Sequence, residues 1–290
     1  MEPEIFPAET AICLGERSGQ MDDTSCVAFL QWALPRLHLS WRGFRRVRRQ
    51  VCRRIDRRIA ALQLHSLASY AAYLEQKQEE WAVLDRLCRI TISRFYRDRD
   101  VFDYLGKVVL PALVHSSLVG EKIIRVWSAG CASGEEPYTV AILWHYSLRP
   151  SLPCPRLEIT ATDIDPVLID RAREACYPAS SLRDLPPPLT VQAFERKNGL
   201  HCLRATVRNY VRFALMDIRE QVPEEAVHLL FCRNLAFTYF DAPLRQHICR
   251  TFRDKIALGG ALIIGKHETI PPEITGFAPW EGRLPIYRKI

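Results

Sequence analysis

The spacing of apolar residues divides the chain into two regimes. Between residues 26 and 90 they recur at helical intervals. Val47, Val51, Ile55, Ile59 and Leu62 form one stripe, Leu67, Tyr70, Ala71 and Leu74 a second, and Trp81, Leu84, Leu87 and Cys88 a third. A period near 3.6 residues predicts amphipathic helices, here a bundle of about four. From Thr91 onward, helical patterns around Val101–Leu113, Val167–Ala175 and Ala242–Ala257 alternate with short apolar runs. These runs, Ile123–Ser128, Leu157–Thr162, Val227–Cys232, Ala261–Gly265 and Leu284–Lys289, read as buried strands. Such alternation predicts an α/β unit around a parallel sheet. Gly259-Gly260 reads as the stop of the preceding helix. Residues 177–213 break the alternation with the run Pro186-Pro187-Pro188 and the β-like pieces Leu200–Ala205 and Tyr210–Phe213. They read as a small inserted β subdomain. Residues 1–25 read as a flexible leader, so the expected division is 1–25, 26–90 and 91–290.

Chemistry concentrates where the first strand ends. The run into Trp127 stops at Ser128-Ala129-Gly130-Cys131-Ala132-Ser133-Gly134, and Glu135-Glu136-Pro137-Tyr138 then opens a helix. Strand, glycine loop and helix make the nucleotide crevice of α/β sheets, and glycine admits close backbone approach. Two acids at the helix start disfavour a phosphate there, because like charges repel. They suit a ligand that carries an ammonium group and hydroxyls, such as S-adenosylmethionine. Asp163 closes the second strand, where a carboxylate can accept both ribose hydroxyls. Asp165, just before Pro166, suits a helix N-cap instead. Phe231-Cys232-Arg233-Asn234 ends a later strand and faces the same crevice, with Tyr239 close behind.

Composition narrows the picture. The chain of 290 residues is 48% hydrophobic, enough for a substantial core. No apolar run approaches the roughly 20 residues of a membrane span, and the acidic, proline-interrupted start is unlike a signal peptide. A cytoplasmic location is therefore expected. The ten cysteines contain no C-x-x-C pair. They are expected to be reduced and mostly buried, with no metal site. The net charge of +7 is concentrated: Arg36, Arg42, Arg45, Arg46, Arg48, Arg49, Arg53, Arg54, Arg57 and Arg58 fall within 23 residues. Such a field attracts an anionic partner. Nucleic acid is disfavoured, because only Trp41 and Phe44 interleave the arginines and no stacking platform is evident.

Together these motifs resemble the CheR-type chemotaxis-receptor methyltransferases. The resemblance spans roughly residues 27 to 290. It runs through the arginine segment, Leu67-Ala68-Ser69-Tyr70, Ser93-Arg94-Phe95-Tyr96-Arg97-Asp98, the glycine loop with Gly134-Glu135-Glu136-Pro137-Tyr138, and Thr162-Asp163-Ile164-Asp165. It closes with Phe231-Cys232-Arg233-Asn234, Tyr239-Phe240-Asp241 and Tyr287-Arg288-Lys289. It implies a Rossmann-like class I methyltransferase domain behind an all-helical N-terminal domain. It also implies S-adenosylmethionine as cofactor and the glutamate side chains of a receptor as substrate. The cofactor contacts it implies are Thr91, Ser93, Arg97, Glu136, Asp163, Asp217, Ile218, Arg233 and Asn234, to which the glycine loop adds Gly130. Arg97 and Tyr239 would serve the transfer itself, and Arg49, Arg53 and Arg57 would dock an acidic helical protein substrate.

Departures from the family pattern are few. Thr91 and Ser93 stand for asparagine and threonine, and Asp217 stands for asparagine. The stretch from Arg233 to Tyr239 is one residue longer. Gly265-Lys266-His267-Glu268 replaces glycine-histidine-serine-glutamate. The implied reaction needs no general base, since a glutamate carboxylate is ionised at neutral pH. His267 is accordingly expected to be structural. Two alternatives stay open: the same chemistry on a small acid or another protein, and a non-catalytic cofactor-sensing or docking protein. A monomer is expected.

Overall fold

The computed structural model describes residues 22–117, 123–150 and 155–290. The expected leader lies largely outside the described residues, as does most of the proline-rich turn at 150–155. The chain forms two compact units: the residues up to Ile90 together with Thr238–Ala242, and Thr91–Phe237 together with Pro243–Ile290.

The first unit is helical. Its helices are α1 (Asp23–Ala33), α2 (Trp41–Phe44), α3 (Arg48–Ala61), α4 (Leu67–Gln76) and α5 (Gln78–Cys88). Residues 23–25, expected in the leader, already belong to α1, because the Asp22 carboxylate caps it by accepting from the backbone N–H groups of Thr24 and Ser25. The single-turn α2 adds to the expected number of helices, since four residues are too few to show a period. Ser66 and Ser69 form a capping box that starts α4. Phe29, Leu30, Val51, Ile55, Tyr70, Leu74 and Leu84 fill the core with no exposed surface.

One acid is buried among them. The Arg58 guanidinium donates to both Glu80 oxygens at 2.8 and 2.7 Å, and the Tyr70 hydroxyl donates at 2.9 Å. Burying a lone carboxylate costs several kcal/mol, which these partners offset. The Arg58 hydrogen bonds hold the Glu80 carboxyl below its ordinary value. The stabilisation is therefore present above the unfolded-state pKa and is lost as pH falls through the lowered one.

The arginine segment is split by α3 into two kinds of residue. Arg48 pairs with Asp23 at 2.7 Å, Arg54 donates to the carbonyls of Leu87 and Arg89, and Arg58 holds Glu80. Arg49, Arg53 and Arg57, each one turn from the next, are exposed and have no ion pair among the described residues. Residues 238–242 join this unit through an antiparallel bridge between Leu39 and Phe240. Ser40 N–H donates to the Tyr239 carbonyl at 2.7 Å, and Asp241 N–H to that of His38 at 2.9 Å. Gly43 has no room for a side chain, as a Cβ there would stand 2.2 Å from the Thr238 carbonyl oxygen.

The second unit is built on a seven-stranded sheet. Its strands are β1 (Ile123–Ala129), β2 (Arg156–Asp163), β6 (Val211–Leu215), β7 (Val227–Cys232), β8 (Ile256–Ile264), β9 (Phe277–Pro279) and β10 (Ile286–Lys289), in the order β6-β2-β1-β7-β8-β10-β9. The first five in that order pair in parallel, while β10 runs antiparallel to β8 and β9. Helices α6 (Arg99–Tyr104) and α7 (Leu110–Ser117), α8 (Glu135–Ile142), α9 (Pro166–Glu174), the one-turn α12 (Ala236–Tyr239) and α13 (Ala242–Lys255) connect the strands or precede them. The order of strands reverses between β1 and β7, which places a crevice at their carboxyl ends.

Three expectations change here. The insert is a three-stranded sheet, β3 (Cys176–Tyr177), β5 (Leu200–Leu203) and β4 (Phe194–Lys197), with α10 (Pro187–Ala193) and α11 (Ala205–Arg208). Of the piece Tyr210–Phe213, Val211–Phe213 belongs instead to β6, the edge strand of the main sheet, in parallel register with β2. Gly259-Gly260 ends no helix, as α13 stops at Lys255 and the pair lies inside β8. The β7–β8 register shifts there, Gly259 has φ +77°, and a Cβ on Gly260 would meet the His228 carbonyl at 2.8 Å. A strand bulge demands the same residue as a helix stop. The cysteines are also not all reduced. Disulfides join Cys26 to Cys52 and Cys176 to Cys202, while Cys88, Cys131, Cys232 and Cys249 are free and buried. Each pair is 26 residues apart, brought together by α1–α3 packing and by β3–β5 register.

Candidate active site

The crevice is assembled by the loops that follow β1, β2 and β7. After β1 the backbone turns at Gly130, φ +78°, and again at Gly134, φ +88°. These values favour glycine, but the glycines also serve packing. A Cβ on Gly130 would lie 2.3 Å from Leu235 Cδ2, and one on Gly134 would lie 3.0 Å from Ala172 and Phe213 atoms. Close approach within the protein therefore also demands glycine at both positions. The loop is tied to β2: Gly130 and Cys131 N–H donate to the Thr162 carbonyl, and Ala132 N–H donates to Asp163 Oδ2 at 2.9 Å. Asp163 Oδ1 accepts from Asp165 N–H at 3.0 Å. Asp165 in turn caps α9, accepting from Val167 N–H at 3.0 Å.

Glu136 sits in the first turn of α8. Ser128 Oγ donates to its Oε1 at 2.8 Å and Arg233 Nη1 to its Oε2 at 3.2 Å. Burial raises the Glu136 carboxyl above its ordinary value, against the pull of Arg233. Arg233, at the end of β7, also pairs with Asp98 at 2.6 Å, and its side chain is 4% exposed. Asn234 follows in the left-handed region, φ 56°, and its N–H donates to Glu268 Oε2 at 2.9 Å. Gly265 N–H donates to the same oxygen. Glu268, absent from the sequence-based candidates, therefore ties the ends of β7 and β8 together. The signal was a lone acid three residues beyond a buried strand. His267 beside it is exposed, so the structural role expected of the histidine falls to the glutamate.

The residues from Thr91 to Asp98 precede α6. Thr91 is exposed and Ser93 half-buried. Arg97 Nη1 donates to the Ile92 carbonyl at 2.7 Å. Asp217 follows β6, and its carboxylate is engaged by the backbone and guanidinium of Arg219, between 2.7 and 3.0 Å; Ile218 next to it is buried. Thus Ser93, Arg97, Gly130, Glu136, Asp163, Asp217, Ile218, Arg233 and Asn234 all belong to the α/β unit, Glu136 in the first turn of α8, Asp163 at the end of β2 and the others on loops. Tyr239 belongs to the segment packed in the helical unit, where its ring lies 5.1 Å from that of Phe44.

Glu135 carries a measurable cost. Its side chain is buried, Oε2 makes no hydrogen bond among the described residues, and desolvation raises its carboxyl above the ordinary value. A group raised in the fold destabilises it as pH climbs through the unfolded-state value toward the folded one. Glu135→Gln is expected to raise the melting temperature at pH 7–8 and to leave it nearly unchanged near pH 4. Thermal scans across that range check this, and an equal gain at both ends would contradict it.

The donor set can be tested against the expected cofactor. Two carboxylates, Glu136 and Asp163, stand at the ends of adjoining loops, one in a buried setting suited to an ammonium group and one suited to ribose hydroxyls. The residues fit. The sheet order and this loop chemistry define an S-adenosylmethionine-dependent methyltransferase with a Rossmann-like class I fold. Residues 91–283 match the family described as "CheR methyltransferase, SAM binding domain". The chain belongs to the CheR methyltransferase family, and S-adenosylmethionine is its cofactor.

Its relatives include the chemotaxis protein methyltransferase of Listeria innocua, 31% identical over 70% of this chain and 75% of that protein. That of Salmonella typhimurium is 29% identical over 80% of this chain and 79% of its own. An uncharacterized 104.1 kDa protein of Rhodobacter capsulatus is 31% identical over 83% of this chain, which spans 25% of that protein's length. No helix among the described residues is long and apolar enough to cross a membrane.

Proposed function

We propose that the chain esterifies glutamate side chains of a chemoreceptor-like protein. The observation that carries the reading is the reach of the similarity. Alignment with the Salmonella typhimurium relative covers 242 residues, so it extends past the cofactor-binding part into the helical unit. The cofactor, when bound, supplies an electrophilic methyl group on a sulfonium. Glu136 would hold the ammonium group and Asp163 the ribose hydroxyls, with Thr91, Ser93, Asp217, Ile218 and Asn234 completing the contacts. Arg97 would orient the substrate carboxylate and strip its water, a positioning effect that reaches several kcal/mol, on the order of 7 in favourable cases. Tyr239, in the helical unit, is read from the family resemblance alone as the tyrosine that serves the transfer.

The exposed stripe Arg49, Arg53 and Arg57 is assigned to docking an acidic helical substrate by a monomeric enzyme. Steering of this kind is screened by salt, with a Debye length of about 8 Å at physiological ionic strength. Changing the three arginines together to glutamine is expected to raise KM for receptor-bearing membranes several-fold. The wild-type KM should climb with added salt and the triple variant's much less, while the maximal rate and cofactor affinity stay put. Steady-state kinetics from low to high salt provide the check. An unchanged KM and salt response would favour the other reading, a small-acid substrate.

A further inference from the structure

Arg97 lies between two residues whose backbones are strained. Tyr96 has φ 59° and Asp98 φ 63°, the left-handed region that non-glycine residues rarely enter. Such a conformation persists where the surroundings over-determine it. The surroundings here are specific. Tyr96 N–H donates to Thr139 Oγ1 at 3.1 Å, and its hydroxyl donates to Asp103 at 2.8 Å. Thr139 Oγ1 donates in turn to the Glu135 carbonyl, so this end of the turn is anchored on α8. The other end is held by one side chain. Arg233 Nη2 donates to the Arg97 carbonyl at 2.8 Å and to Asp98 Oδ2 at 2.6 Å.

Those two bonds use both hydrogens of Nη2. Nη1 reaches Glu136, and the guanidinium carbon stands 5.1 Å over the Phe102 ring. With 4% of its side chain exposed, Arg233 is enclosed by protein partners on several sides. The Arg97 side chain, by contrast, makes one hydrogen bond among the described residues, to the Ile92 carbonyl, and stays partly exposed. One arginine is spent on holding the backbone from which the other projects.

We propose that Arg233 is a positioning residue that acts through Arg97: its fork clamps the strained Tyr96–Asp98 turn to Glu136 and so fixes where the Arg97 guanidinium is presented. Arg233 is thereby moved from cofactor contact to clamp, and the assignment rests on the reading of Arg97 as the group that orients the substrate carboxylate. Asp98 is the half of the clamp that can be altered alone. Asparagine tolerates the left-handed conformation, so Asp98→Asn removes the charge without adding backbone strain.

The test is a kinetic cycle on the full chain, using methyl transfer to receptor-bearing membranes and titration with S-adenosylhomocysteine. Asp98→Asn and Arg233→Lys are each expected to lower kcat at least tenfold while the S-adenosylhomocysteine Kd changes less than threefold. In an Arg97→Ala background, Asp98→Asn should change kcat less than twofold, because residues that act through one another are not additive. A full tenfold loss in that background would overturn the clamp. So would a tenfold weaker Kd for Arg233→Lys with Asp98→Asn unchanged, which would return Arg233 to direct cofactor contact. Absence of transfer by the wild-type chain would instead refute the receptor reading, and the two failures are thus distinct.

Discussion

Arg97→Ala is expected to lower the maximal rate of methyl transfer by about 10²-fold, the scale on which misplacement of a reacting group is felt. The fold should scarcely register the change. The side chain contributes one hydrogen bond, to the Ile92 carbonyl, and a bond of that kind is worth about 1 kcal/mol. For a domain of this size that amounts to a few degrees in melting temperature at most. Rate and melting curve measured on the same preparation separate the two roles. Parallel loss of both, or of neither, would make Arg97 a structural residue and remove the group that orients the carboxylate.

The second large effect is on the cofactor. Asp163→Ala should weaken S-adenosylhomocysteine binding by about 1–3 kcal/mol, the cost of leaving polar partners unmatched. Part of that loss belongs to the loop, since Asp163 also accepts from Ala132 N–H and from Asp165 N–H. Asp163→Asn retains one acceptor oxygen and should recover some of the affinity. Isothermal titration of the three proteins measures both contributions. If alanine binds as tightly as aspartate, the ribose assignment is wrong.

Much of this architecture is legible from residue order. Buried parallel strands are continuous apolar runs, and α3 carries a plain helical stripe, so β1, β2, β7 and α3 stand out before any coordinates. Asp165 before a proline is legible as the cap of α9, and Asp163 as the carboxylate that closes β2 beside the glycine loop. What stayed hidden depends on contacts between distant residues. The disulfides are set by register and helix packing. The Gly259-Gly260 bulge and a helix stop ask for the same residue type, so only the partner strand distinguishes them. Glu268 gains its role when β7 and β8 end side by side, and Arg233 when the turn before α6 meets α8. The arginine segment shows charge density in sequence but not its division: Arg48 and Arg58 pair with acids and Arg54 reaches the carbonyls after α5, while Arg49, Arg53 and Arg57 are exposed and have no ion pair among the described residues. Tyr239 reads as a neighbour of Arg233 along the chain, yet its segment packs with the helical unit because Leu39 and Phe240 bridge.

The central claim is methyl esterification of glutamate side chains on a receptor-like protein, and its most direct measurement is transfer of tritiated methyl from S-adenosylmethionine. Membranes bearing a chemoreceptor are incubated with the purified chain, the proteins are separated, and the label on the receptor is followed through mild alkali. Carboxyl methyl esters hydrolyse under those conditions, whereas methylated amides, amines and ethers do not. The expected result is label on the receptor, released as volatile methanol by alkali and accumulating about 10²-fold more slowly when Arg97→Ala replaces the wild-type chain. Label that survives alkali, or that appears only in small molecules, would contradict it.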